Sequence, residues 1–120
     1  IAKDCFVYAD HDQIVRVLNN LISNAIECVC TGETPLITII LEKRKGHALL
    51  SITDNGSGIP EQQQSQIFEP NFTTKSSGTG LGLAMVKRII DDLNGDLYFT
   101  TELGLGTTFY VSIPLLKQKV

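Results

Sequence analysis

Four short segments of this chain have residue types and spacings that can do chemistry. In GTGLGL, Gly78, Gly80 and Gly82 alternate directly before a helical run. A glycine-preceded helix start collects unpaired N–H donors and the positive end of the helix dipole, which suits an anion such as phosphate. The same glycines would serve equally as a plain hinge. The stretch is not a Walker A loop, because no Gly-Lys-Ser/Thr follows. Nor is it the dinucleotide fingerprint, which counted from Gly80 needs glycine where Met85 stands.

The second segment is LNNLISNAIE, where Asn20 and Asn24 lie one helical turn apart and point the same way. Asn is a poor helix-interior residue, so two of them call for a reason. One is a pair of amide oxygens aimed at a ligand or a hard cation such as Mg²⁺. The other is a solvated polar face, since the pair reads as lying opposite the apolar stripe. The third segment is SITDNGSGIP, in which Asp54 leaves a strand and enters a turn with Gly56 and Gly58. Asp often opens turns by capping its own backbone. At the bottom of a pocket the same carboxylate would accept an N–H from a base, with the glycines letting backbone approach the ring. The spacing does not suit an EF-hand, because Gly56 stands where that loop needs Asp or Asn. In the fourth segment, IFEPNFTTKSSG, Phe68 and Phe72 are apolar anchors and Lys75 is a single cation before the glycines. Such a cation stabilises charge on transferring phosphoryl oxygens; an ordinary exposed Lys is the plainer reading.

These segments need elements to position them. CFVYA, residues 5–9, reads as an edge strand, and residues 12–30 as a helix with Ile14, Leu18, Leu21, Ile22, Ala25 and Val29 on one stripe. LITIILE and HALLSITD read as strands joined by a KRKG turn. Residues 61–78, rich in Gln, Ser and Thr, read as a long functional or disordered loop. A second helix opens at Gly80 or Leu81, buries Leu83, Val86, Ile89, Ile90 and Leu93, and stops at Gly95. DLYFTTE and GTTFYVSIP close the chain as a hairpin around LGLG. The order predicts an α/β two-layer sandwich, two helices on one side of a mixed sheet, in one domain over residues 1–120.

Composition excludes several classes. The chain has 120 residues, 42% hydrophobic and 19% charged, with net charge −3 and no basic block. That is an ordinary globular composition, and it argues against nucleic acid as main partner. No apolar run approaches the roughly 20 residues that span a bilayer. The chain opens IAKDCF, with neither an initiating Met nor a charged leader, and reads as a segment of a longer protein. Cys5, Cys28 and Cys30 form neither a disulfide framework nor a zinc spacing, and as reduced thiols they fit a cytosolic setting.

Taken in this order, the four segments resemble the ATP-binding catalytic domain of sensor histidine kinases in the GHKL superfamily. NNLISNAIE is similar to the family's Asn box, DNGSGIP to its first glycine box, IFEPNFTTK to its phenylalanine box and GTGLGLAMV to its second glycine box, and GLGTTFYVSIP matches the closing strand. The resemblance covers essentially the whole chain. It implies a Bergerat-type fold, an α+β two-layer sandwich whose five-stranded, mostly antiparallel mixed sheet is covered on one face by helices. It implies ATP and Mg²⁺ as cofactors. Asn24 is then the metal ligand and Asn20 lies close to the phosphates. Asp54 accepts the adenine amino N–H, Gly56, Gly58 and Ile59 wall the base, and Thr107 supports it through water. Thr74 is an ATP-binding residue, Lys75 to Gly80 (with Ser76, Gly78 and Thr79) form the lid, and the backbone of Gly80, Leu81, Gly82 and Leu83 meets the phosphates. Glu27 stands where many members carry Lys or Arg, and Asn71 where relatives carry Phe; the role of Glu27 stays open.

ATP-hydrolysing relatives place a Glu at the position of Asn20, whose amide cannot act as a base. The resemblance therefore implies γ-phosphoryl transfer to a His on a separate dimerisation domain, and onward to a response regulator receiver domain. His11 and His47 have no phosphoacceptor motif around them. The domain itself is expected to be a monomer without direct membrane contact, within a parent protein either soluble or membrane-anchored. A binding module that does not transfer phosphate, or a related ATPase, are the alternative readings.

Overall fold

A computed structural model describes residues 10–29, 33–69 and 82–115. The strand predicted at residues 5–9 lies outside them, as does Phe72. The described elements run α1 (His11–Glu27), β1 (Thr38–Arg44), β2 (His47–Thr53), α2 (Glu61–Gln64), α3 (Gly82–Asp92), β3 (Asp96–Glu102) and β4 (Gly106–Pro114). The four strands form one sheet in the order β1-β2-β4-β3, with every neighbouring pair antiparallel. Among the described residues the sheet has four strands, all antiparallel, where a five-stranded, mostly antiparallel mixed sheet is expected; the remaining expected strand is the one outside the described residues.

Local chemistry explains the boundaries. Asp10 is the N-cap of α1, and its Oδ1 accepts from the Asp12 N–H at 2.9 Å. Asp10→Ala removes that acceptor and is expected to cost about 1 kcal/mol, read as a fall of about 5 °C in thermal unfolding. β1 and β2 are joined by two residues, Lys45 (φ 47°) and Gly46 (φ 81°), both left-handed, as a hairpin turn matching strand twist requires. The end of α3 differs from expectation. Asn94 (φ 59°), rather than Gly95, takes the left-handed cap position, and the N–H groups of Asn94 and Gly95 close back onto Asp91 O and Ile90 O at 3.0 and 2.9 Å. Gly95 is needed for another reason: a Cβ there would lie 2.4 Å from the Ser112 carbonyl on β4.

Helices α1 and α3 pack on one another and over one face of the sheet. The core between the layers includes Val17, Leu21 and Ala25 of α1, Ile52 of β2, Val86, Ile89 and Ile90 of α3, Leu97 of β3, and Phe109 and Val111 of β4. Fully burying each large side chain contributes roughly 1.5–3 kcal/mol. On the other face Tyr98 and Tyr110 stack, ring centres 4.9 Å apart.

Two predictions need correction. The buried line of α1 runs through Val17, Leu21 and Ala25, while Ile14, Leu18, Ile22 and Val29 are only half-buried. That rotates the stripe towards Asn20 and Asn24, which are half-buried on its flank instead of opposite it. Nor are residues 61–69 plain loop. α2 occupies Glu61–Gln64, and Ile67 beyond it is 5% exposed. Phe68 then meets Phe99 and Phe109 edge-on, at 5.9 and 6.3 Å between ring centres.

Candidate functional site

The turn that leaves β2 is built around one carboxylate. Asp54 is 4% exposed and faces the helix-covered side of the sheet. Its backbone continues the ladder, donating to Thr107 O at 2.9 Å. Its Oδ1 accepts from Gly56 N–H at 2.8 Å and from Thr107 N–H at 3.2 Å. Its Oδ2 is buried with no hydrogen-bond partner among the described residues. A buried acceptor without a donor is costly, and native proteins seldom leave one so unless a ligand or water supplies the donor.

Close backbone approaches surround it. A Cβ at Gly56 would lie 2.5 Å from Cys28 O, and one at Gly106 would lie 2.1 Å from Asp54 O. Gly58 (φ 83°) packs on the Glu102 carbonyl, where a Cβ would stand at 2.6 Å. These contacts bring three distant pieces of chain together. The end of α1 is tied in as Ser57 N–H donates to Cys28 O at 3.2 Å. The β3–β4 turn joins as Gly104 N–H donates to Ser57 O at 2.9 Å. Asn55 pins the segment entering β1: its Oδ1 accepts from Leu36 N–H and its Nδ2 donates to Thr34 O.

Sequence reasoning did not single out Thr101, yet it organises the far wall. Ile59 N–H donates to Thr101 Oγ1 at 2.9 Å, and Oγ1 is 2.8 Å from Thr107 Oγ1. Thr107 is 3% exposed. The signal was available in the FTTE stretch, because the LGLG turn sets a register in which Thr101 stands directly opposite Thr107.

A second group lies where α1 meets α3. Asn20 Nδ2 donates to Arg16 O, one turn back, at 2.8 Å. This fixes the amide, and its Oδ1 lies 3.0 Å from where a Cβ on Gly82 would sit. Asn24 is half-buried one turn further along, and Glu27 is exposed at the last turn. Gly82 and Leu83, both half-buried, begin α3. The structure therefore clusters Asp54, Gly56, Gly58, Ile59 and Thr107, and it sets Asn20 against Gly82. Thr74, Lys75, Ser76, Gly78, Thr79, Gly80, Leu81 and Asn71 lie outside the described residues. Among the described residues no group of His, Cys, Asp and Glu side chains is arranged to hold a metal, so a cation here would need amide or ligand oxygens. No described helix is long and apolar enough to cross a membrane.

Comparison with known proteins shows the family and the fold. A family model described as histidine kinase-, DNA gyrase B-, and HSP90-like ATPase matches residues 9–117. The chain is 38% identical over 111 residues to sporulation kinase C of Bacillus subtilis, covering 92% of this chain and 26% of that protein. It is 38% identical over 109 residues to the sensor histidine kinase ZraS of Escherichia coli, covering 91% of this chain and 23% of that protein. It thus spans about a quarter of the length of these relatives. Among solved structures, the catalytic domain of the histidine kinase ThkA superposes with a TM-score of 0.79 at 40% identity, over 91% of this chain and 70% of that one. Full-length ShkA, solved in complex with AMPPNP, superposes with a TM-score of 0.80 at 26% identity, over 95% of this chain and 24% of that one.

Proposed function

The chain belongs to the histidine kinase-, DNA gyrase B-, and HSP90-like ATPase family, and from that premise we propose that it binds Mg-ATP for transfer of the γ-phosphoryl group to a histidine on a separate dimerisation domain. The observation that carries this reading is Asp54 Oδ2, buried without a hydrogen-bond partner among the described residues. It is a buried acceptor in a cradle of glycines, which fits the amino group of an adenine. Gly56 and Gly58 let the turn seat tightly on the Cys28 and Glu102 carbonyls, which holds Asp54 and Ile59 in place beside the base.

The other end of the site is α1 where it meets the start of α3. Asn24 holds the metal through its amide oxygen, and Asn20, its own amide braced on Arg16 O, faces the phosphate end. Bound Mg-ATP supplies the phosphoryl group and the charge that offsets its oxygens. The protein's own residues orient it without activating water, since the amide at position 20 accepts no proton at neutral pH. That favours an external nucleophile over hydrolysis. The lid is the glycine-rich segment from Lys75 to Gly80, with Lys75 as its cation. The histidine-bearing domain belongs to the same protein, and a response regulator receiver domain takes the phosphoryl group next. This division of labour fits the greater length of the related kinases.

Calorimetry with a non-hydrolysable ATP analogue, with and without Mg²⁺, tests the reading. The wild-type chain should bind roughly tenfold more tightly with Mg²⁺, and Asn24→Ala should lose that gain while keeping its metal-free affinity. A metal effect that survives in Asn24→Ala would move the cation elsewhere. Transfer is tested by mixing the chain with a histidine-bearing dimerisation domain of a related kinase and labelled ATP; label confined to released phosphate would favour the ATPase alternative.

A further inference from the structure

The base-binding end of the site contains a hydroxyl pair whose proton direction can be worked out, and the consequence rests on the reading of Asp54 as the floor of a purine pocket. Three partners surround Thr101 Oγ1. Ile59 N–H lies at 2.9 Å, the Gly106 carbonyl oxygen at 3.2 Å and Thr107 Oγ1 at 2.8 Å. The amide can only donate and the carbonyl can only accept. Thr101 has one hydroxyl proton. If it points at Gly106 O, all three contacts are hydrogen bonds, and the Thr107 hydroxyl must be the donor in the remaining pair. If it points at Thr107, two acceptors face each other across the Gly106 contact and that bond is lost. The first arrangement satisfies every partner and wins.

In that arrangement the Thr107 proton is committed to Thr101, so its Oγ1 offers only lone pairs to any further partner. Asp54 Oδ2 also only accepts. We infer that Thr101 is a positioning residue that holds the Thr107 hydroxyl as an acceptor and so makes the pocket select adenine over hypoxanthine. Adenine brings an exocyclic amino donor to this end. Hypoxanthine brings a carbonyl there, which meets lone pairs and leaves Asp54 Oδ2 unpaired. A Thr107 hydroxyl released from Thr101 can rotate and donate to that carbonyl, directly or through a water.

The test is the ratio of affinities for non-hydrolysable analogues of ATP and inosine triphosphate, measured on this chain by calorimetry. Thr101→Val keeps the shape and removes the hydroxyl. It should shrink the ATP preference by roughly tenfold, mostly through tighter inosine-nucleotide binding. Thr101→Ser should restore the wild-type ratio. In a Thr107→Val background, Thr101→Val should not change the ratio further. Should the valine variant fail to fold, Thr101→Cys, with its weaker hydrogen-bonding thiol, should move the ratio the same way. A merely structural Thr101 would weaken both nucleotides in proportion, and an unmoved ratio in a folded variant overturns the inference. A wild-type chain that binds neither analogue overturns the purine pocket and this inference together. A wild-type chain that prefers ATP, with variants that keep the preference, overturns the role of Thr101 alone.

Discussion

Asp54→Asn is expected to weaken ATP binding by roughly a hundredfold, with little change in thermal stability. The reasoning is local. Oδ1 already accepts the N–H groups of Gly56 and Thr107, and the carbonyl oxygen of an asparagine can keep both bonds. The amide nitrogen then takes the place of Oδ2, so a donor stands where the pocket offered its buried acceptor. A purine amino group meets a second donor, and the charge that strengthened the bond is gone. Calorimetry with the ATP analogue reads the affinity, and a circular dichroism melt reads the fold. An Asp54→Asn chain that is folded and still binds ATP at wild-type strength would remove the carboxylate from the site.

The largest effect on stability is expected from Phe109→Ala. The ring is 1% exposed and packs in a triangle with Phe68 and Phe99, with centres 6.3 and 5.8 Å away. Truncation removes the buried surface and leaves a cavity that two further rings line. A loss of about 4 kcal/mol is expected, set against a typical total of roughly 5–15 kcal/mol. The midpoint of thermal unfolding should fall by about 15–20 °C. Phe109→Leu, which refills most of the space, should recover the greater part. A melt shifted by only a few degrees in Phe109→Ala would mean that the segment carrying Phe68 does not pack as described. Because Thr107 lies two residues along the same face of β4, the alanine variant should also lose nucleotide affinity as the strand loosens.

Much of this architecture was legible from patterns of short range. β3 and β4 are bounded by a Gly-rich turn and alternate in burial, and their extents match DLYFTTE and GTTFYVSIP. α1 announced itself by its period, although its buried line proved to pass through Val17. One or two residues of rotation are hard to fix when apolar side chains occupy more than one face. α2 left no signal, since EQQQ has no apolar period and its position depends on Ile67 and Phe68 reaching the core beyond it. The site divides in the same way. Asp54, Gly56, Gly58 and Thr107 stood out because turn chemistry and motif spacing are local. Thr101 did not, because its significance comes from a hydroxyl across the strand pair and an amide 42 positions earlier in the chain.

The bond from Ser57 to Cys28 has a wider consequence. It fastens the tip of α1 to the turn that carries Asp54, and α1 also bears Asn20 and Asn24. Helices are stiff along their axes, so the jaws of this clamp cannot open independently. On the proposed reading, the domain works as a gauge of molecular length. Adenosine alone, or a bare triphosphate, would then fill one jaw and leave the other idle, and only a molecule of the right span would engage the whole tool.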